Sequence, residues 1–199
     1  MELKKIVEGI LFAANRPLSC KQIQAVFPQL EQPTTTEIRA AVLAISEDYK
    51  YRAIELKKVA SGYRFQVRAE LSLWVSRLFA ERPPKYSRAL LETLTIIAYR
   101  QPITRADIEA IRGVSLSQGI VQTLLERDWI RVVAYKTSPG RPGLYGTTTE
   151  FLNYFNLQSL ADLPAFGFNE QQQFDLSAIV EDTDAQLDSA SETGDTFSD

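Results

Sequence analysis

Histidine is absent from all 199 residues. That removes the commonest general base, the commonest metal ligand and every Ser-His or Cys-His nucleophile pair. The one cysteine, Cys20, excludes an internal disulfide framework and suits a reducing cytosol. Without histidine it also leaves no Cys/His zinc site within a single chain. No apolar run approaches about 18 residues, so no membrane span is expected. The N-terminal MELKKIVEGILFAANRP reads as an amphipathic helix and not a secretory signal, because Glu2 and Glu8 interrupt it and no small-residue cleavage site follows. Neither GxxxxGKS/T nor GxGxxG occurs, and no pair of acids sits in a recognisable catalytic motif. The expectation is a cytoplasmic protein that is not an enzyme and carries no catalytic residue, cofactor or metal.

Lys and Arg are missing from the last 33 residues. Gly167–Asp199 holds nine acids (Glu170, Asp175, Glu181, Asp182, Asp184, Asp188, Glu192, Asp195 and Asp199), which leaves 22 basic and 16 acidic residues in the rest of the chain. A body of +6 therefore precedes a tail of −9, for a net charge of −3. Rich in Gln, Ser, Thr and Asp and without a sustained apolar period, residues 166–199 are expected to be disordered, with room for a short helix around Phe174–Val180. Such a tail either solvates the protein or acts as an acidic arm competing with nucleic acid for a basic partner face.

What the chain does hold is apolar content, 45% of residues, ample for globular cores. It also holds a repeat. At an offset of 85 residues, Asn15-Arg16-Pro17-Leu18-Ser19 with Ile23 and Val26 matches Arg100-Gln101-Pro102-Ile103-Thr104 with Ile108 and Ile111. In each copy an apolar helix stops before a proline, which disfavours helical geometry in the residue ahead of it. Ser19-x-x-Gln22 and Thr104-x-x-Asp107 then have capping-box spacing. The repeat predicts two domains.

In the first copy Leu3, Ile6, Val7, Ile10, Leu11 and Ala14 form one helical face. A second helix is expected over Ser19–Phe27, and a third, after the loop Pro28–Thr36, carries Ile38, Val42 and Ile45. Strands Ile54–Ala60 and Tyr63–Val67 flank Ser61-Gly62, read as a two-residue hairpin turn. A last helix, Glu70–Ala80, presents Leu71, Trp74, Val75, Leu78 and Phe79. Pro83 and Pro84 mark a semi-rigid spacer. The second copy predicts helices at Arg88–Arg100, Arg105–Arg112 and Ser117–Arg127, then a hairpin, then a helix from Glu150 to about Phe155.

The hairpin is the most informative stretch. In Thr123–Thr149, TLLERDWIRVVAYKTSPGRPGLYGTTT, the residues Leu124, Leu125 and Trp129 close an apolar helix, while Ile130, Val132 and Val133 are strand formers. Ser138-Pro139-Gly140-Arg141-Pro142-Gly143 can continue neither element. A hairpin leading straight on from a helix is the wing of a winged-helix domain, a module that binds DNA or protein. The fold class is therefore α+β, mainly helical: tandem winged-helix (HHH–β-hairpin–H) domains at 1–82 and 88–165, joined by a linker at 83–87 and followed by the acidic tail.

DNA reading needs basic residues for phosphates and polar residues for base edges. SLSQGIVQTLLER, the presumptive recognition helix of the second copy, offers Gln118 and Gln122 but only Arg127 as a cation. TEIRAAVLAISEDYK in the first presents Glu37, Glu47 and Asp48 with the wrong sign. Tight binders make about 6–10 phosphate contacts, which no one face supplies. Protein binding is favoured, DNA binding is expected to be weak and sequence-indifferent, and a winged-helix transcriptional regulator is the alternative. Phe12 and Leu73 lie off their helix stripes as candidate homodimer contacts, or are covered by neighbouring elements. Tyr99, Tyr135, Leu144, Tyr145, Tyr154 and Phe155 place aromatic and apolar groups around the wing with Arg141 in its loop. That is the composition of interface hot spots, although a core uses the same residue types.

The runs LLETLTIIAYRQPITRADIEAIRGV, TLLERDWIRVV and PGRPGLYGTTTEFLNYFNLQSLADLP resemble the bacterial segregation and condensation protein B (ScpB) family. The likeness is dense over Tyr86–Pro164 and looser over the first copy, where VEGILFAA carries it. It implies homodimerisation through the first domain, and binding of the kleisin ScpA through the second, with Tyr99, Arg100, Arg112, Arg141, Leu144, Tyr145, Tyr154 and Phe155 as the candidate contacts. Through ScpA it implies membership of the SMC condensin complex, with ATP hydrolysis in the SMC partner. Asp128 and Ala134 stand where the family pattern has glycine, and Ser115-Leu116-Ser117 departs from its usual helix start.

Overall fold

The computed structural model describes residues 2–78 and 86–164. The first half runs α1 (Leu3–Ala13), α2 (Cys20–Gln24), α3 (Thr35–Asp48), the antiparallel hairpin β1 (Ile54–Val59) and β2 (Gly62–Val67), and α4 (Ser72–Leu78). Helical spacing sets Val7 and Leu11 of α1, Ile23 of α2 and Ile38, Val42 and Ile45 of α3 into one core with Leu18. Each fully buried aliphatic side chain there contributes about 1.5–3 kcal/mol. The box at Ser19 forms as its spacing predicts. A second box lies inside the expected loop: Thr34 accepts from the Glu37 N–H at 3.2 Å, and the Thr34 N–H donates back to Glu37 at 2.7 Å. Helix α3 therefore begins at Thr35, and those bonds hold the Glu37 carboxyl below its usual range.

Two expectations in this half are corrected. Val59 pairs with Gly62, so the hairpin turn is Ala60-Ser61 and not Ser61-Gly62. Gly62 (φ 144°) is needed for a different reason: a Cβ there would lie 2.1 Å from the Leu18 carbonyl oxygen. Leu18 and Tyr63 exchange backbone hydrogen bonds at 3.0 and 2.9 Å, and only a residue without a side chain lets the two backbones approach. The helix expected over Glu70–Ala80 is a 3-10 turn, Ala69–Leu71, followed by α4. Its apolar stripe is split: Leu71 and Val75 are half-buried, while two members face outward. Trp74 is 62% and Leu78 78% exposed, whereas Leu73 is half-buried.

In the second half α5 (Arg88–Arg100), α6 (Arg105–Arg112) and α7 (Gln118–Glu126) pack with β3 (Ile103–Thr104), β4 (Ile130–Tyr135), β5 (Gly143–Thr147) and α8 (Thr149–Tyr154) around Leu94, Ile97, Ile108, Leu124, Trp129 and Phe151. The sheet order is β3-β5-β4, antiparallel throughout. Strand β3 was not expected from sequence. It places Ile103 opposite Tyr145, and the repeat-related Leu18 makes the same kind of contact with Tyr63 as a lone bridge. The repeat also matches solvent positions: Val26 and Ile111 are both exposed, at 60% and 45%.

Trp129 lies beyond the end of α7, not within it. Its N–H bonds Leu124 O at 3.0 Å while the Asp128 N–H bonds Leu125 O at 2.9 Å. That pair of bonds is a Schellman cap, with Asp128 in the left-handed position (φ 53°) that glycine fills most cheaply. The cap swings the chain so that Trp129 enters the core, where it is 2% exposed.

The two halves meet at the first hairpin's turn. The Ala60 N–H donates to Leu157 O at 2.9 Å. The Ser61 N–H donates to Asn153 Oδ1 at 3.1 Å, and Asn153 Nδ2 donates to Ser61 Oγ at 2.8 Å. Arg64 reaches Asn153 O at 3.0 Å and Asn156 Oδ1 at 2.8 Å. Asn153 is 6% exposed, and its buried amide takes both Ser61 bonds from the other half of the chain, with one longer bond to Glu150 at 3.4 Å in its own. The proline spacer, the helix suggested near Phe174 and the disorder expected of the tail lie outside the described residues.

Candidate partner-binding surface

The β4–β5 hairpin is closed by a turn whose chemistry is local. Pro139 and Gly140 (φ 81°) occupy the centre of a turn closed by the Arg141 N–H on Ser138 O at 2.9 Å, the type II arrangement that proline followed by glycine favours. The Lys136 N–H then bonds Pro142 O at 2.9 Å, which starts the β4–β5 ladder. Arg141 itself has φ 41° and is exposed at the tip.

The structure does not gather the eight candidate contacts into one patch. Leu144 and Tyr145 lie on β5, half-buried, with Tyr145 between Ile103 and Val132 and packed on the core. Tyr154 and Phe155 sit at the base of the β4–β5 hairpin, against Trp129 at centroid distances of 4.6 and 5.3 Å. The six residues of β4 separate that base from Arg141, about 20 Å at 3.3 Å per residue. Tyr99 ends α5 half-buried, its hydroxyl donating to Pro164 O at 2.7 Å, with burial raising its pKa. Arg100 is exposed beside it. Arg112 points inward: its side chain is 8% exposed and its guanidinium lies 3.4 Å from Glu92. It braces α6 against α5 rather than facing a partner.

At the base, Tyr86 and Tyr154 hydroxyls lie 3.2 Å apart. Arg127 lies over the rings of Tyr86 and Trp129 at 4.8 and 5.5 Å. Burial, then the Tyr86 hydrogen bond, push the Tyr154 hydroxyl up to about 12. Tyr154 and Phe155 remain 46% and 38% exposed, so this aromatic shelf is both core edge and surface.

One feature was not read from the sequence. Strand β4 is exposed from Arg131 to Tyr135, although its unbroken apolar run reads as a buried strand. It is the sheet's edge, and exposure of an edge depends on what does not pack there. In the first half, Phe12 is 70% exposed and sits edge-on to Phe65 at 6.3 Å. It borders a groove of about 530 Å³ that includes Leu11, Ile54 and Arg64. The candidate dimer residue Leu73 does not share that exposure, whereas Trp74 and Leu78 do. Among the described residues no cluster of three or more His, Cys, Asp or Glu could hold a metal ion, and no helix is long and apolar enough to cross a membrane.

Comparison with known proteins agrees with the resemblance carried by LLERDWI and GRPGLYGTT. The family model described as segregation and condensation complex subunit ScpB matches residues 5–166. A curated relative, the segregation and condensation protein B homolog of Coxiella burnetii, is 48% identical over 161 residues, spanning 81% of this chain and 77% of its own. Among solved structures, ScpB from Mycobacterium tuberculosis is 32% identical over 77% of this chain and 94% of that one, with a TM-score of 0.36. A dimer of an ScpB N-terminal domain complexed with a ScpA peptide is 29% identical over 38% of this chain and 93% of that one, with a TM-score of 0.34. With its helical and strand elements and a family match that runs through both halves, the chain belongs to the segregation and condensation complex subunit ScpB family.

Proposed function

We propose that this protein is a non-catalytic accessory subunit of the SMC condensin complex, acting in chromosome condensation and segregation. It comprises two winged-helix domains, 1–82 and 88–165, joined by the linker at 83–87. The observation that carries the reading is the pair of three-helix-plus-hairpin units under one family match through residues 5–166. The first unit forms the homodimer, supported by the exposed Phe12, Trp74 and Leu78. The second holds the kleisin ScpA, and the SMC ATPase is reached through ScpA.

The kleisin contact is assigned to the wing tip and the aromatic shelf, with Arg141, Tyr154 and Phe155 as its exposed members. Arg141 is the sharpest test. The Pro139-Gly140 turn fixes its backbone beforehand, so little ordering entropy opposes binding. Replacement by Ala should cost about 2 kcal/mol, near thirtyfold in Kd. Calorimetry of full-length wild type and Arg141→Ala against ScpA reads this directly, with circular dichroism as folding control. Wild-type affinity in the folded variant, together with wild-type affinity in Tyr154→Ala, would move the interface elsewhere. A sequence-selective nanomolar complex with duplex DNA at physiological salt would favour a transcriptional regulator instead.

A further inference from the structure

We propose that the outer edge of β4 is a docking site for this chain's own acidic tail, taken up by Phe174–Val180 as an added strand. Among the described residues nothing pairs with that edge, since β4 closes the sheet order β3-β5-β4. Its side chains are exposed on both faces, with Val132, Val133 and Tyr135 at 40%, 45% and 62%. An open edge with apolar side chains is a template for another extended segment.

The charge selects the occupant. From Trp129 to Thr149 there is no acid, and Arg131, Lys136 and Arg141 are the only charges, all exposed. A second copy of the wing would bring three more cations to the same edge. The segment Phe174-Asp175-Leu176-Ser177-Ala178-Ile179-Val180 instead puts Phe174, Leu176, Ala178 and Val180 at alternate positions, the period of a strand with one apolar face. Glu181, Asp182 and Asp184 follow it, in a tail with no Lys or Arg. The register slip between Val132 and Ala134 bends the edge and, with its cations, discourages indiscriminate pairing.

The tether reaches. The last described residue, Pro164, is tied to Tyr99 through its carbonyl, and Gln101, two residues on, accepts from the Thr147 N–H of β5 at 2.7 Å. From there β4 is one strand spacing away, about 4.8 Å. The ten residues from Pro164 to Phe174 span up to about 33 Å. A segment so tethered acts at a millimolar effective concentration, so a weak contact suffices. A partner that uses the same edge must displace it, but the contact itself does not depend on which partner that is.

Hydrogen–deuterium exchange on the full chain without any partner tests this. The tail variant Phe174→Ser/Leu176→Ser/Val180→Ser changes none of the described core residues. Outward amides of residues 131–136 should exchange about tenfold faster in it than in wild type, as expected when a segment docked nine-tenths of the time is released. Arg131→Ser/Lys136→Ser/Arg141→Ser should lose part of the same protection. Equal exchange in wild type and tail variant overturns the proposal. So does protection that disappears on dilution, which would assign the edge to a second copy, and so does protection that arises only when duplex DNA is added.

Discussion

Replacing Gly62 by Ala isolates the contact that holds the first hairpin to its helical layer. The new Cβ would lie 2.1 Å from Leu18 O and 2.5 Å from Ser19 N, both backbone atoms with no rotamer to change. The φ of 144° adds strain of its own. To relieve the overlap the Leu18 segment must retreat, breaking the 3.0 and 2.9 Å bonds it exchanges with Tyr63. Those are worth about 1 kcal/mol each, more where a buried group is left unpaired. Leu18, 7% exposed, would shift in the core, and the Ser19 cap begins at the next residue. The sum is about 3–4 kcal/mol, a large share of the stability of one small unit.

Two other glycines serve as controls in the same urea titration followed by circular dichroism. Gly140→Ala has no atom within 4 Å but keeps φ at 81°, so it should cost about 1 kcal/mol. Gly9→Ala, inside α1 with nothing within 4 Å, should stabilise by about 0.5–1 kcal/mol. If Gly62→Ala costs no more than Gly140→Ala, the close-approach argument is wrong.

Asp128→Gly removes the left-handed strain at the α7 cap and should raise stability by about 1 kcal/mol, read as a higher denaturation midpoint. Asn153→Ala leaves Ser61 without its partners across the two halves. About 2 kcal/mol should be lost, and small-angle scattering should show an expanded chain; an unchanged radius would mean that the remaining contacts suffice. The Tyr154 hydroxyl is raised to about 12 from about 10 in the unfolded chain. Its contribution to stability is therefore complete below pH 10 and fades as pH rises toward 12. Ultraviolet phenolate titration should show a late step that Tyr154→Phe abolishes.

Local chemistry explains which parts of the molecule are legible from residues alone. Capping boxes, the Pro139-Gly140 turn and the spacing of Val7 and Leu11 or Ile38, Val42 and Ile45 act within a few residues, so they can be read without knowing what lies opposite. The prolines before Thr34 suggest a loop, although Thr34-x-x-Glu37 carries the same signal as Ser19-x-x-Gln22. The glycine pattern at position 128 also pointed to a real strain, since Asp128 adopts the conformation that glycine would.

The sequence by itself determined the family, the helical cores, the β4–β5 hairpin and the opposition of a basic body to an acidic tail, because each is written in residue type and short spacing. Tertiary structure alone decided that Gly62 is a contact residue, that Arg112 faces inward, that Leu73 and not Trp74 is sheltered, and that Asn153 joins the halves. It also decided that the hairpin tip and the aromatic shelf lie a strand's length apart. Burial and adjacency are set by which surfaces meet across long separations in the chain. An apolar residue carries the same local signal whether a neighbour covers it or, as on β4, none of the described residues does.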